Sequence, residues 1–261
     1  MQALKIAATG MAAQQMRVDV TAHNISNMST TGYNARRAEF ADLHYQQLRT
    51  PGAITAATGE VLPAGVQLGL GVRPSAISLE LRQGALRQTG GELDVAIEGD
   101  GYIEVELPTG EIAYTRDGSL KLSAEGEVVT SEGFRVAAGI TVPEDARKIE
   151  INREGGVVAI FDGQIAGQEI GDIQLATFIN DKGLEAIGEN LFLETAASGG
   201  PNVGQPGVEG RGTFRQGYVE DSSVDVVSEI TELIEAQRGY ELNSRVLSAA
   251  DEMLSSTNRI R

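Results

Sequence analysis

Both ends of the chain carry apolar residues at heptad spacing, and the segment between them does not. Leu4, Ala8, Met11, Gln15, Val18, Ala22 and Ile25 step by four and three, the a/d seam of a helix that packs on another helix. Asn24, Ser26, Asn27 and the following STTGY stretch offer the backbone competing side-chain hydrogen bonds and a glycine, so this helix should stop there. Near the other end Val226, Ile230, Leu233, Gln237, Tyr240, Ser244, Leu247, Asp251 and Leu254 repeat the step, with Ser222 or Ser223 as the expected N-cap. Val246, Ala250, Met253 and Ile260 form a second stripe beside it. A helix from Ser223 to the last residue would be about 55 Å long, a rod rather than the core of a domain.

The stripes are too poor to stand alone. Gln15, Gln237, Ser244 and Asp251 occupy stripe positions, and Gly10 and Gly239 fall inside the helices at a cost of about 1 kcal/mol each relative to alanine. Glycine is useful there only where another backbone comes close. Packing of the two helices within one chain is the commonest use of such patterns, but one such partner cannot cover both of the modestly apolar faces. The remaining face points to other copies of the chain.

The middle reads as β. The stretch GDGYIEVELPTGEIAYTRDGSLKLSAEGEVVT (99–130) alternates apolar and polar residues in runs broken by PTG, RDG and AEG, where glycine supplies positive φ. Ile103, Val105 and Leu107, then Ile112 and Tyr114, then Leu120 and Leu122, then Val128 each give an inward face, which predicts an antiparallel meander. More strands are expected at KIEIN, GVVAIFDGQ and GDIQLATFIN, and the 32 glycines against 7 prolines in 261 residues agree with many tight turns. Residues 198–212, with six glycines and two prolines, read as irregular, mobile chain. The expected fold class is α+β: long terminal heptad helices packing together in a coiled-coil-like manner, and a central antiparallel β-rich domain. In this division 1–45 is one half of the helical domain, 46–80 an extended stretch, 81–220 the β-rich part and 221–261 the other helical half.

Composition narrows the function. With 37 acidic against 21 basic residues and a net charge of −16, the dominant attraction to a phosphate backbone would be reversed, so nucleic acid is not an expected partner. No stretch reaches the roughly 20 apolar residues of a membrane span. The start, MQALKIAATGMAAQQM, is broken by glutamines and unlike a Sec-type signal, so export without a cleaved signal is expected. There is no cysteine, hence no disulfide and no thiolate metal site. His23 and His44 have no ligand spacing around them. Glu92, Asp94, Glu98 and Asp100 are dense, but they miss the calcium-loop spacing and read as a solvated turn face. GLGV (69–72) lacks a third glycine and reads as a bend, and DGS (117–119) as a hairpin turn. No catalytic residue, metal or cofactor is expected. The rivals from other classes are a cell-wall hydrolase using Asp94 or Glu98, and a β-rich surface-binding module on helical stalks.

Three stretches resemble one known family. ALKIAATGMAAQQMRVDVTAHNISNMSTTGYNARRAEF is similar to the N-terminal signature of bacterial flagellar rod and hook proteins. QTGGELDVAIEGDGYIEVELPTGEIAYTRDGSLKLSAEGEVVTSEG is similar to their central signature, and VEDSSVDVVSEITELIEAQRGYELNSRVLSAADEML to their C-terminal one. In order, they span nearly the whole chain. Length, the lack of a large inserted domain and LRTPGAITAATGEVLPAGVQLGLGV are most like the distal part of the rod, with the proximal rod and the hook as near alternatives. The chain departs from the family's usual residues at Asp221–Val224 (Asp-Ser-Ser-Val), at Gly239 and at Tyr102.

The resemblance implies a helical homopolymer: an inner tube of terminal helices around an export channel, with the β domain outside, carrying motor torque across the periplasm. The implied partners are further copies of the chain, proximal rod proteins, the hook protein and the surrounding ring proteins of the basal body. On this view Leu4, Met11, Val18, Ile25, Val226, Ile230, Leu233, Tyr240, Leu247 and Leu254 form subunit interfaces, and residues 46–72 add an outer contact.

Overall fold

The computed structural model describes residues 2–49, 64–162 and 167–259, and divides into two compact units. The first unit comprises Met1–Ile25, Arg36–Ser78 and Asp225–Arg261; the second comprises Ser26–Ala35 and Leu79–Val224.

In the first unit, helix α1 spans Gln2–Ser26 and helix α2 spans Val226–Arg259. α1 stops where its sequence runs into Asn24, Ser26 and Asn27. The start of α2 differs from expectation. Asp225 caps it, accepting from the Val227 amide at 3.2 Å and the Ser228 hydroxyl at 2.6 Å, and a carboxylate at this position also meets the positive end of the helix dipole. Ser223 is spent elsewhere: its hydroxyl accepts the Ala35 amide at 2.9 Å. α2 is therefore 34 residues long, about 51 Å. Strand Arg36–Asp42 pairs with Val72–Leu79, and Tyr45–Arg49 pairs antiparallel with Val66–Gly69, Gln46 opposite Leu68. The parts of 46–72 that are described are thus extended; 50–63 lie outside the described residues.

The second unit is antiparallel β. In its nine-stranded sheet the main path runs Glu185–Gly188, Leu191–Leu193, Ile112–Thr115, Tyr102–Glu106, Arg135–Val136, Val128–Val129, Lys121–Leu122, with Leu175–Thr177 also on Tyr102–Glu106 and Asn202–Gly204 paired to Leu175–Thr177. This is not the expected meander. Lys121–Leu122 pairs with Val128–Val129 and not with Ile112–Thr115, because Leu191–Leu193 takes the place beside Ile112–Thr115. Ile112 and Leu122 consequently face outward while Ile103, Val105, Tyr114, Leu120 and Val128 are buried. Ala146–Ile151, Gly156–Phe161 and Gln168–Asp172 make a separate three-stranded sheet. Two further pairs are Val95–Glu98 with Thr213–Gln216 and Leu86–Gln88 with Tyr218–Glu220.

The 198–212 stretch is more ordered than its glycines predict. Arg211, only 7% exposed, donates to the Asn202 side-chain oxygen at 2.8 Å and to the Val208 carbonyl at 3.3 Å, pinning the loop from inside. Gly204 makes room for it, since a Cβ there would lie 2.7 Å from the Arg211 Cζ.

Clusters of large buried side chains lie in the second unit. One is built on Val95, Ile97, Ile103, Val157, Leu175 and Phe214. Another is aromatic, with Tyr114 edge-on to Phe178 at 4.8 Å and Tyr102 edge-on to Phe192 at 5.9 Å. The described buried residues of the two helices are small or polar instead: Ala7, Ala13, Thr21, Asn24, Ala236 and Ala250.

Candidate assembly interface

The two helices run antiparallel, as their contacts show: Gly10 faces Asn243, Gly239 faces Gln14, Arg17 pairs with Glu232 at 3.7 Å, and the Asn24 amide donates to Glu229 at 3.0 Å. Ascending positions in α1 meet descending positions in α2. Their inner seam is narrow, because Ala236 is fully buried and Ala7, Ala13 and Ala250 nearly so.

Asn24 closes one end of this seam. Its side-chain nitrogen donates to the Arg36 carbonyl at 2.8 Å and its oxygen accepts the Arg36 amide at 2.9 Å, so the side chain imitates a β-partner for the first strand after the helix. A buried amide with every function engaged is stabilising; the same amide unpartnered would be costly. At the other flank of α1 the Thr9 hydroxyl accepts the Val72 amide at 3.3 Å. Gly71, at φ 123°, permits this approach, since a Cβ there would fall 2.2 Å from the Thr9 oxygen. The GLGV bend is where the chain passes α1.

Of the ten residues expected at subunit interfaces, Leu4, Met11, Val18, Ile25, Val226, Leu233 and Leu247 are half-buried. Ile230 and Tyr240 are exposed, at 46% and 44%. The Leu254 side chain lies outside the described residues. The seam itself is formed by residues off that stripe, chiefly Ala236, Gly239, Asn243 and Ala250, which step by three, four and seven. In the sequence Ala250 belongs to the second stripe and Gly239 stands out as a glycine inside the helix, while nothing local marks Ala236 or Asn243. The large apolar residues Val227, Ile230, Ile234, Leu242, Val246 and Met253 of α2 are exposed, a row far more apolar than a solvated helix face needs to be.

The second unit holds a clasp where the chain comes from α1 and returns to α2. Arg116 and Glu220, 9% and 3% exposed, pair at 2.7 Å. Arg116 also donates to the carbonyls of Gly99 at 2.7 Å and Gly101 at 3.2 Å. The other Glu220 oxygen accepts the Gly84 amide at 2.8 Å, and its carbonyl accepts the Gly32 amide at 2.8 Å. Gly32 sits at φ 67°, and a Cβ there would lie 2.8 Å from the Arg116 backbone; no other residue fits that turn. Ser223 donates its amide to the Tyr33 carbonyl at 3.0 Å, completing the lacing of 30–35 to 218–223.

Beside the clasp is a cavity of about 60 Å³ lined by Asn34, Gln83, Asp100, Tyr102, Arg116 and Asp181. Burial, then repulsion from Asp100, raises the Asp181 carboxyl above the usual range, with Arg116 opposing, and one Asp181 oxygen is buried without a hydrogen bond. Among the described residues no group of three or more His, Cys, Asp and Glu could hold a metal. Asp94 is committed to its turn, accepting from the Thr89 hydroxyl and, through its carbonyl, from the Gly217 amide.

Three family models match the chain: Flagella basal body rod protein over residues 4–34, Flagellar hook protein FlgE/F/G D1 domain over 96–159, and Flagellar basal body rod FlgEFG protein C-terminal over 215–260. The flagellar basal-body rod protein FlgG of Caulobacter vibrioides is 49% identical over 261 residues, covering 100% of both chains. That of Agrobacterium fabrum is 45% identical, covering 99% of each, and that of Bacillus subtilis 37% identical, covering 94% of each.

Proposed function

Because the chain belongs to the flagellar basal-body rod protein family and is a structural subunit of that rod, we propose that it polymerises helically, through its paired terminal helices, into the distal part of the rod. The observation that carries this reading is the split between the units: the β unit has large apolar clusters of its own, whereas the helices, among their described residues, fully bury only small or polar ones and leave Val227, Ile230, Ile234, Leu242, Val246 and Met253 of α2 exposed. Such helices gain most of their burial only from neighbours.

Contacts between unlike surfaces that do not close generate an open filament. The coiled-coil-like packing of α1 and α2 would then form the inner wall of a hollow shaft around an export channel, spanning the periplasm. The β unit would face neighbouring copies and the ring proteins, with proximal rod proteins at one end of the shaft and the hook protein at the other. The strand pair Tyr45–Arg49 with Val66–Gly69 exposes Tyr45, Leu48 and Val66 and suits an outer contact between copies. The proposed organisation keeps 1–45 and 221–261 as the helical halves, 46–80 as the outer contact and 81–220 as the β-rich part. The family points to a non-enzymatic protein, and torque transmission needs only stiffness and continuity. Electron microscopy of the purified chain at high concentration tests the reading: filaments are expected, and a persistently monomeric or closed, ring-like particle would refute it.

A further inference from the structure

An alanine-lined seam has a weakness. Ala7 and Ala13 on α1, and Ala236 and Ala250 on α2, would pack about as well after a slip of one turn or a small rotation, because no large side chain fills a unique hole. Two contacts break that degeneracy. The Asn243 amide lies over Gly10, where a Cβ would stand 3.0 Å from its Oδ1 and 3.1 Å from its Cγ. One turn away and in the reverse sense, Gln14 lies over Gly239, where a Cβ would stand 3.0 Å from its Cδ. Each helix thus offers one glycine notch and one amide that fills the other's notch. Within α2 the Asn243 amide nitrogen donates to the Gly239 carbonyl one turn back at 2.9 Å, which holds the amide against Gly10 and limits its freedom to yield.

We propose that these reciprocal notches, Gly10 with Asn243 and Gly239 with Gln14, are the specificity-determining contacts of the terminal helices. They fix the register and rotation of α2 on α1, and so decide that Ile230, Ile234, Leu242 and Val246 are turned outward to a second copy. The second half of this statement rests on the polymerisation proposed above; the register itself does not. Polar groups set register in helix pairs by the same logic, costing some stability for uniqueness. Gly239 inside α2 then has its reason in Gln14.

The test is a double-mutant cycle of Gly10→Ala and Asn243→Ala in the full chain. A methyl at Gly10 meets a tethered amide, so the single variant Gly10→Ala should polymerise roughly tenfold less readily at equal concentration, the cost expected of overpacking a fixed contact, while the β unit keeps its thermal transition. Adding Asn243→Ala removes the obstacle and should restore polymerisation and the parent's helical parameters. Far-ultraviolet circular dichroism at the same high concentration reads helix content in parallel, whether or not filaments form. A parent chain that forms no filaments overturns the polymerisation reading alone; the notch is then judged on helix content, lost in the single variant and recovered in the double. If Gly10→Ala behaves as the parent, or more stably as its helix propensity alone would dictate, or if the double variant fails to recover, the notch assignment is wrong.

Discussion

At the scale of single residues, the buried Arg116–Glu220 pair is the contact whose loss should cost most. Removing one partner leaves the other charged in a dry site, so Glu220→Gln should destabilise the β unit by about 3 kcal/mol or more. Arg147→Ala, which breaks a pair with Asp162 that is 75% and 81% exposed on its two sides, should change stability by less than about 0.5 kcal/mol. Chemical denaturation of the two variants checks the contrast. Asp181 works in the opposite sense. Its carboxyl titrates higher in the folded chain than in the unfolded one, so folding takes up a proton between those two values and stability falls as pH rises through them. Asp181→Asn should therefore raise the melting temperature at neutral pH, and its advantage should shrink on acidification toward the ordinary carboxylate range; equal shifts at both pH values would contradict this. Neither site was legible in the sequence. Arg116 and Glu220 are 104 residues apart, and no local spacing links an arginine in a hairpin turn to a glutamate before a distant helix. Gly32 was legible as a turn residue, though not as the floor beneath Arg116.

At the scale of elements, the helices were read from their period, but α2's rotation was not. A heptad stripe assigns the larger side chains to the inside; this pair does the reverse, placing Ala236 and Ala250 inward and Leu242 and Met253 outward. Small residues let the two axes approach, and the larger ones are left for other surfaces. Leu247 is half-buried on α2, one turn from both Asn243 and Ala250 of the seam. Leu247→Asp should block filament formation, because it would bury an unpaired charge at a helix contact, while the β unit keeps its native circular dichroism. Filaments formed by that variant would remove Leu247 from the interface. The cap of α2 escaped sequence reading because Ser223 has its partner in the Ala35 amide, brought close only by folding; the ordering of 198–212 escaped it because glycine and proline content does not show that Arg211 turns inward to Asn202 within the same stretch. The strand positions were read well, since alternation is local, whereas the order of strands in the sheet was not, because Leu191–Leu193, far off in sequence, takes the expected neighbour's place beside Ile112–Thr115.

At the scale of the whole molecule, the unequal cores of the two units predict unequal stability before assembly. Amide exchange of the dilute monomer should show slow exchange at Ile103, Val105 and Leu175, fully buried in the β sheet, and fast exchange along α1 and α2, whose burial is too slight to offset their ordering entropy. On polymerisation the helical amides should become protected; protection already complete in the monomer would mean the helices need no neighbours. The acidic balance, −16 overall and nine acids against four arginines from Glu220 onward, adds repulsion that salt should relieve. The sequence by itself determined the α+β division, helices at both ends and strands between, because amphipathic period and turn chemistry are properties of neighbouring residues. Only the tertiary structure decided which face of α2 turns inward, which strand lies beside Tyr102–Glu106 and which charges are buried together. Those outcomes depend on close approach and desolvation between segments far apart in the chain, and no local pattern encodes them.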